Sequence, residues 1–144
     1  METFAADLQT MVRTPLTPDH VAAMRRVGHI VHLKAGDVFQ KAGAPITEFH
    51  YLLSGETEAV SGGTGKRYGN ATLGPGQFFG ELAFLNGGHA FMSGRAVQDT
   101  EMLCVRREDM LQLMSDIPEM SDIIITAYAA RRRRMVEVDE ASLT

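Results

Sequence analysis

The chain has 144 residues, of which 44% are apolar and 22% charged, and these proportions are ordinary for one globular domain with a single core. Its net charge of −4 argues against a broadly basic nucleic-acid-binding surface. The single cysteine, Cys104, excludes an intramolecular disulfide and a CxxC redox pair, and its apolar neighbours predict a buried strand position. The chain shows neither a bilayer-spanning apolar run nor a secretion-signal pattern, so we expect a cytoplasmic protein without membrane association.

The first predicted element is a helix over residues 17–27. Thr17 suits its N-cap, Pro18 its first turn, and Gly28 its end. Residues 1–16 show no single period and are interpreted as an N-terminal extension.

Residues 28–106 change character, because short β-forming segments alternate with glycine-containing turns. Turn signals at this spacing are typical of an all-β sandwich or roll. Gly62–Gly65 is interpreted as a hairpin tip rather than a phosphate-binding loop. The segments expected to form strands are His29–Leu33, Asp37–Gln40, Phe49–Leu53, Glu56–Val60, Ala71–Leu73, Gly94–Val97 and Glu101–Val105.

Two helices are predicted over residues 107–139, the second beginning at Pro118, and residues 141–144 are interpreted as a tail or the start of a linker. The apolar stripe of the second helix needs a partner surface, either the roll or the same helix of a second copy. Arg131–Arg134 is interpreted as the charged flank of a helix C-terminus. The stripe consists of Met120, Ile123, Ile124, Ala127, Tyr128, Met135 and Val138.

One segment, Gly74–Leu85 (GPGQFFGELAFL), resembles the phosphate-binding cassette of cyclic nucleotide-binding domains. Gly36-Asp37, Gly43 and Tyr51–Gly55 match the supporting glycines of that family in order, and the resemblance covers residues 17–138 of a domain spanning 17–140. It implies a mainly β fold with flanking helices, namely a double-stranded jelly-roll with one N-terminal and two C-terminal helices. It also implies a regulatory, non-catalytic module that binds a cyclic nucleotide such as cAMP.

The resemblance also implies the residues of the ligand site. Backbone N–H groups of Leu82 and Ala83 would attract the cyclic phosphate. Glu81 would accept a hydrogen bond from the ribose 2′-hydroxyl, or would instead only cap the turn. Gly80 would allow close approach of the sugar. The full set of implied ligand-binding residues is Phe79, Gly80, Glu81, Leu82, Ala83, Ala90 and Ser93.

The sequence departs from the family where the phosphate-binding arginine is expected, since that position is Ala90. A charge-assisted hydrogen bond contributes about 1.5–3 kcal/mol, which corresponds to at least ~10- to 100-fold in affinity. Bulky Phe91 and Met92 are expected to fill the phosphate pocket, and Arg95 is expected to face away from it. We therefore predict weak or lost binding of cAMP or cGMP. The alternative is a genuine cAMP sensor that uses backbone N–H groups, Glu81 and Ser93.

A narrower resemblance is carried by Phe84–Gly88, Arg95–Thr100 and Ile117–Arg134. These segments are similar to the N-terminal regulatory domain of bacterial thioredoxin-reductase-like flavoproteins. The resemblance implies control of an attached or partner redox enzyme. The chain itself contains neither a flavin-binding glycine motif nor a CxxC pair, so no enzymatic activity is assigned to it.

The sequence also bears on DNA binding, metal binding and assembly. A DNA-binding helix-turn-helix after the long helix would need about 60 further residues, so none is expected in this chain. A metal-dependent jelly-roll needs converging histidines, but there is no His-x-His pair, and His29 and His32 should face opposite ways; no metal site is predicted. Finally, the stripe Ile123, Ile124, Ala127 and Tyr128 predicts a homodimer or docking to a fused domain.

Overall fold

A computed structural model describes residues 16–143, and of residues 68–71 and 134–143 it describes the backbone alone. The helices are α1 (Pro18–Val27), α2 (Ala83–Asn86), α3 (Arg107–Asp116) and α4 (Pro118–Leu143). The strands are β1 (His29–Leu33), β2 (Val38–Gln40), β3 (Glu48–Ser54), β4 (Thr57–Val60), β5 (Arg67–Leu73), β6 (Phe78–Phe79), β7 (Ser93–Ala96) and β8 (Thr100–Arg106).

The strands form two antiparallel four-stranded sheets, ordered β1-β8-β3-β6 and β2-β7-β4-β5. The predicted fold class, mainly β with flanking helices, is therefore confirmed. The seven predicted strands are all present within a few residues of their expected bounds, and β6 was not predicted. β5 starts earlier than expected, at Arg67, because it pairs with Val60 across the Gly62–Gly65 hairpin tip.

Helix α1 begins with a reciprocal capping arrangement. The backbone N–H of His20 donates to the Thr17 hydroxyl at 3.2 Å, and the N–H of Thr17 donates to Nδ1 of His20 at 3.1 Å. The His20 imidazole therefore accepts the N-cap hydrogen bond that a Glu or Gln side chain accepts in the usual capping box. Leu16 is buried in the core, so the residue assigned to the end of the extension belongs to the packed domain. Residues 1–15 lie outside the described part of the chain.

The main core lies between the first sheet and the helices. Phe49, Leu103 and Val105 of that sheet pack with residues of α1, α3 and α4. A smaller cluster lies between the two sheets, because Leu52, Met102 and Cys104 contact side chains from both. Cys104 is buried there, as predicted, and burial raises the pKa of its thiol to about 12.

Helix α4 differs from the prediction in two ways. It continues through Leu143, so the expected end at 139 is not observed, and Thr144, the last residue of the predicted tail, lies outside the described residues. The stripe residues Ile124, Ala127 and Tyr128 are fully buried against their own domain, so the prediction that another copy or a fused domain covers them is wrong. Their partner is the core beside β6, and Ile125 is the large apolar residue exposed on the described part of this helix. No helix in the described chain is both long and apolar enough to span a membrane.

Candidate functional site

The predicted cassette forms a strand–turn–helix unit in which β6 leads through Gly80 and Glu81 into α2. The first hydrogen bonds of the helical turn are donated by the N–H groups of Phe84 and Leu85. The N–H groups of Leu82 and Ala83 precede this first bonded turn, as is general at a helix start. At the other end, the Arg107 guanidinium donates to the carbonyls of Phe84, at 2.6 Å, and Leu85, at 2.8 Å. The short helix is thereby fixed to α3.

Glu81 is buried and connects the cassette to the segment that follows it. Its carboxylate Oε1 accepts a hydrogen bond from the backbone N–H of Phe91 at 2.9 Å. Burial raises the pKa of the Glu81 carboxyl, and the bond from Phe91 partly opposes that rise. The side chain therefore bonds a residue ten positions along the chain, and the alternative prediction, that Glu81 only caps its own turn, is wrong.

A small cavity lies between the cassette and the two sheets. Its volume is about 10 Å³, roughly the space of one water molecule and far below the roughly 300 Å³ or more of a small-molecule site. Among the predicted site residues, four line it. Leu82 and Ala83 pack against the main core instead, and the Ser93 hydroxyl accepts the N–H of Ala42 at 2.9 Å. The lining residues are Gln40, Ile46, Glu48, His50, Phe79, Gly80, Glu81, Phe84 and Ala90.

The segment around Ala90 is held by backbone pairing. The N–H of Ala90 donates to the carbonyl of Ala44 at 2.9 Å, and the carbonyl of Ala90 accepts from Gly43 at 2.7 Å. Ala90 lines the cavity with a methyl group, where the family resemblance expects a guanidinium. Phe91 is 54% exposed, so the prediction that it fills the pocket is wrong. Met92 is buried but is not among the lining residues.

Arg95 forms an ion pair outside the cavity. Its guanidinium bonds the buried Glu58 carboxylate, which also accepts from Arg67 at 2.8 Å. Hydrogen bonds from Arg95 first, and then from Arg67, lower the pKa of Glu58 against the opposing effect of burial. Arg95 is thus paired with Glu58 and is not among the residues that line the cavity. His89 is exposed, as expected for a surface-loop histidine.

Helix α4 contributes two side chains to the cassette that the sequence prediction missed. The Arg131 Nη1 donates to the carbonyl of Gly80 at 3.2 Å, and its guanidinium carbon lies 4.9 Å from the centroid of the Phe78 ring. A Cβ at Gly80, whose φ is +148°, would lie 2.5 Å from the Tyr128 hydroxyl. Gly80 therefore makes room for the tyrosine in this structure, where the resemblance implied room for a sugar.

This contact leaves two enclosed polar atoms. Among the described residues, neither the Tyr128 hydroxyl nor Arg131 Nη2 has a hydrogen-bond partner. Burial raises the pKa of Tyr128 and lowers that of Arg131 to about 10. Arg131 remains charged at neutral pH, so an enclosed cation lies directly beside the cassette.

The sequence does contain a signal for this position. Ile124, Ala127, Tyr128 and Arg131 follow the i, i+3, i+4, i+7 spacing of one helix face. Arg131 therefore continues the buried stripe, although it opens a run of four arginines. Its assignment to a charged helix C-terminus was wrong, because the helix continues for another three turns.

His50 is one of five lining residues that the prediction missed. The imidazole is buried and packs edge-on against the Phe39 ring, with the ring centroids 5.0 Å apart. Burial, followed by the neighbouring His29, lowers the pKa of His50 to about 4. The side chain is thus neutral at physiological pH and adds a polar but uncharged wall to the cavity.

Comparisons with known proteins agree with this architecture. The sequence model described as the cyclic nucleotide-binding domain matches residues 30–116, which is more than half of the chain. The cyclic AMP receptor protein of Thermus thermophilus is 41% identical over 69 residues, covering 48% of this chain and 32% of that protein.

Solved structures give the same result. The catabolite activator protein of Thermus thermophilus superposes with a TM-score of 0.71 and 28% identity, covering 92% of this chain and 62% of that one. A chain from a study of a cyclic-GMP-dependent pathway in bacterial phytopathogenesis gives a TM-score of 0.61 and 25% identity, covering 88% and 96%.

The chain spans about a third of the curated relative and less than two thirds of the first solved structure. The matched proteins are named as a receptor for cyclic AMP and as a catabolite activator. By its sequence match and its roll with flanking helices, this chain belongs to the cyclic nucleotide-binding domain family.

Proposed function

We propose that this domain is a regulatory module whose binding of cAMP or cGMP is weak or lost. The observation that carries the proposal is Ala90, a methyl group on the wall of a cavity of about 10 Å³. A cyclic phosphate placed there would meet the Glu81 carboxylate and no cation from the cassette itself. An anion buried without a paired cation is strongly disfavoured.

The test is calorimetric titration of the domain with cAMP and cGMP. Wild type should show no binding at micromolar concentration, and micromolar or tighter binding would contradict the proposal. Ala90→Arg should restore affinity by at least about tenfold, because the added guanidinium contributes about 1.5–3 kcal/mol. His89→Arg is the matched control, since it adds the same charge at the neighbouring exposed position and should change nothing.

A second candidate is a genuine cyclic-nucleotide sensor, and Arg131 is the observation that favours it. Its guanidinium is enclosed beside Gly80, with Nη2 unpartnered among the described residues. In this version α4, rather than the cassette, supplies the cation for the phosphate. Glu81 and the N–H groups of Leu82 and Ala83 then contact the sugar and the phosphate as the family resemblance implies, with Ser93 as a further contact.

This candidate predicts measurable binding that depends on Arg131. Arg131→Met should lower the affinity by at least about tenfold, because a charge-assisted contact is lost. Arg132→Met is the control, since Arg132 is exposed on the same helix. Equal effects of the two substitutions would exclude a specific role for Arg131.

We further propose that the domain controls an attached or partner thioredoxin-reductase-like flavoprotein. The support is the similarity of Phe84–Gly88 and of the α4 sequence to the regulatory domains of that group. The natural reading frame after residue 144 tests the attached form. A flavin-binding glycine motif followed by a CxxC pair would support it, and a different domain there would contradict it.

Contact with a second copy or with another domain is proposed through the outer face of α4. The buried stripe cannot make this contact, so exposed residues such as Ile125 would make it. The side chains of the stripe residues Met135 and Val138 lie outside the described part of the structure. Light scattering tests self-association. A concentration-dependent mass that Ile125→Glu abolishes would support a dimer, and a constant monomer mass would exclude it.

A further inference from the structure

A cluster of potential metal ligands lies across three neighbouring strands of the first sheet. The register pairs Cys104 of β8 directly with His29 of β1 on one side and with His50 of β3 on the other. Directly paired residues point to the same face of a sheet. Glu48 precedes His50 by two residues and so shares that face. The two imidazoles, the thiol and the carboxylate therefore share one face of the sheet.

The distances suit a shared ion. One ligand atom each from His29, Glu48 and Cys104 lie within 4.8 Å of one another. The Glu48 carboxylate lies between the imidazoles, with Nε2 of His29 3.7 Å from Oε2 and Nε2 of His50 3.9 Å from Oε1. These nitrogen–oxygen separations are a few tenths of an ångström longer than those between ligands of one tetrahedral zinc, which are about 3.3 Å for bonds of about 2.0–2.1 Å.

We propose that His29, Glu48 and Cys104 bind a zinc ion, with His50 beside the Glu48 carboxylate but outside the group of atoms close enough to share the ion. The donor set favours Zn²⁺ over Mg²⁺ or Ca²⁺, because thiolate and imidazole are ligands of the former and the latter prefer oxygen. The His29 side chain is 58% exposed, which gives the ion a path from solvent. On binding, the Cys104 thiol loses its proton to solvent as the sulfur–zinc bond forms.

No sequence motif predicts this cluster. Its members come from three separate strands, and the pairing of β1, β8 and β3 brings them together. It stands independently of nucleotide binding, although Glu48 and His50 also line the cavity beside the cassette.

The experiment is titration of the metal-free protein with Co²⁺, followed by displacement with Zn²⁺. We expect one ion per chain and a near-ultraviolet thiolate-to-cobalt charge-transfer band that Zn²⁺ removes. Cys104→Ser should abolish the band, and His29→Ala should weaken Zn²⁺ binding at least tenfold. His32→Ala is the matched control, because His32 lies on the opposite face of β1 and pairs with Glu101 at 3.6 Å; it should bind as wild type.

Absence of the thiolate band in the wild type would overturn the proposal, as would equal weakening by His29→Ala and His32→Ala. Cys104 is buried, so folding of Cys104→Ser is checked by circular dichroism. Should that variant fail to fold, His29→Ala and Glu48→Gln decide the matter, because both positions reach solvent. Unchanged zinc affinity in both would then overturn the assignment.

Discussion

Replacing Tyr128 by phenylalanine should stabilise the domain. The Tyr128 hydroxyl is fully enclosed and has no hydrogen-bond partner among the described residues. Burying such a group unpaired costs about 1–3 kcal/mol, while its removal leaves a void of a single oxygen atom. We expect a net gain of about 1 kcal/mol in the free energy of unfolding, or about 3–5 °C in Tm for a chain of this size.

Urea unfolding followed by far-ultraviolet circular dichroism measures this gain, with equal m-values required for the comparison. Tyr51→Phe is the control. Tyr51 is also largely buried, but its hydroxyl is not among the enclosed, unpartnered atoms, so its removal should change the stability by less than about 0.5 kcal/mol. A loss of about 1 kcal/mol or more in Tyr128→Phe would refute the reasoning, because it would mean that the hydroxyl is hydrogen-bonded in the folded protein.

Three further substitutions test the same region and the start of the fold. Gly80→Ala should destabilise the domain by about 2–5 kcal/mol, because the added Cβ would press on Tyr128 and the backbone φ is +148°. Thermal unfolding measures this loss, with Gly80→Ser as a comparison. An unchanged Tm would contradict the contact between Gly80 and Tyr128. Glu81→Gln keeps an acceptor for its backbone partner but removes a buried charge whose pKa is raised. It should therefore stabilise at neutral pH, and urea unfolding at several pH values should show the gain vanishing as pH falls below the ordinary value of 4.5. Thr17→Ala should cost about 1 kcal/mol through the lost cap with His20, and Thr17→Ser, measured by the same unfolding assay, should recover most of it.

Local chemistry made much of the fold predictable. The Thr17 cap and the Gly28 stop placed α1 to within one residue. Glycines placed the turns between strands, and β1 was found over its predicted range. These signals act within a few residues of where they stand, so one sequence is enough to read them. β6 was not predicted, because a strand of two residues is too short to show an alternating pattern.

The surroundings of each side chain were less predictable, because they depend on which elements, distant in sequence, pack together. Phe91 and Met92 were both expected in the pocket, yet they lie in the bend before β7, where Phe91 is exposed and Met92 is buried. The α4 stripe was read correctly as apolar, but periodicity does not name the surface that covers it. Arg131 is the clearest case, since its charge suggested solvent while its helical position placed it against Gly80 and Phe78.

Arg131 joins α4 to the cassette, and the effect of replacing it differs between the two candidate functions. A ligand entering a cavity of about 10 Å³ must enlarge it, and Gly80 is where α4 presses on that wall. If Arg131 only holds the cassette closed, ligand and helix compete, and the affinity is reduced by the cost of displacing the helix. Arg131→Met would then tighten nucleotide binding.

If Arg131 is instead the cation for the phosphate, the same substitution weakens binding. Because coupling is reciprocal, a competing helix would also be loosened by nucleotide, and amide hydrogen exchange along α4 would report it. The sign of the Arg131→Met effect therefore determines whether this helix opposes the ligand or receives it.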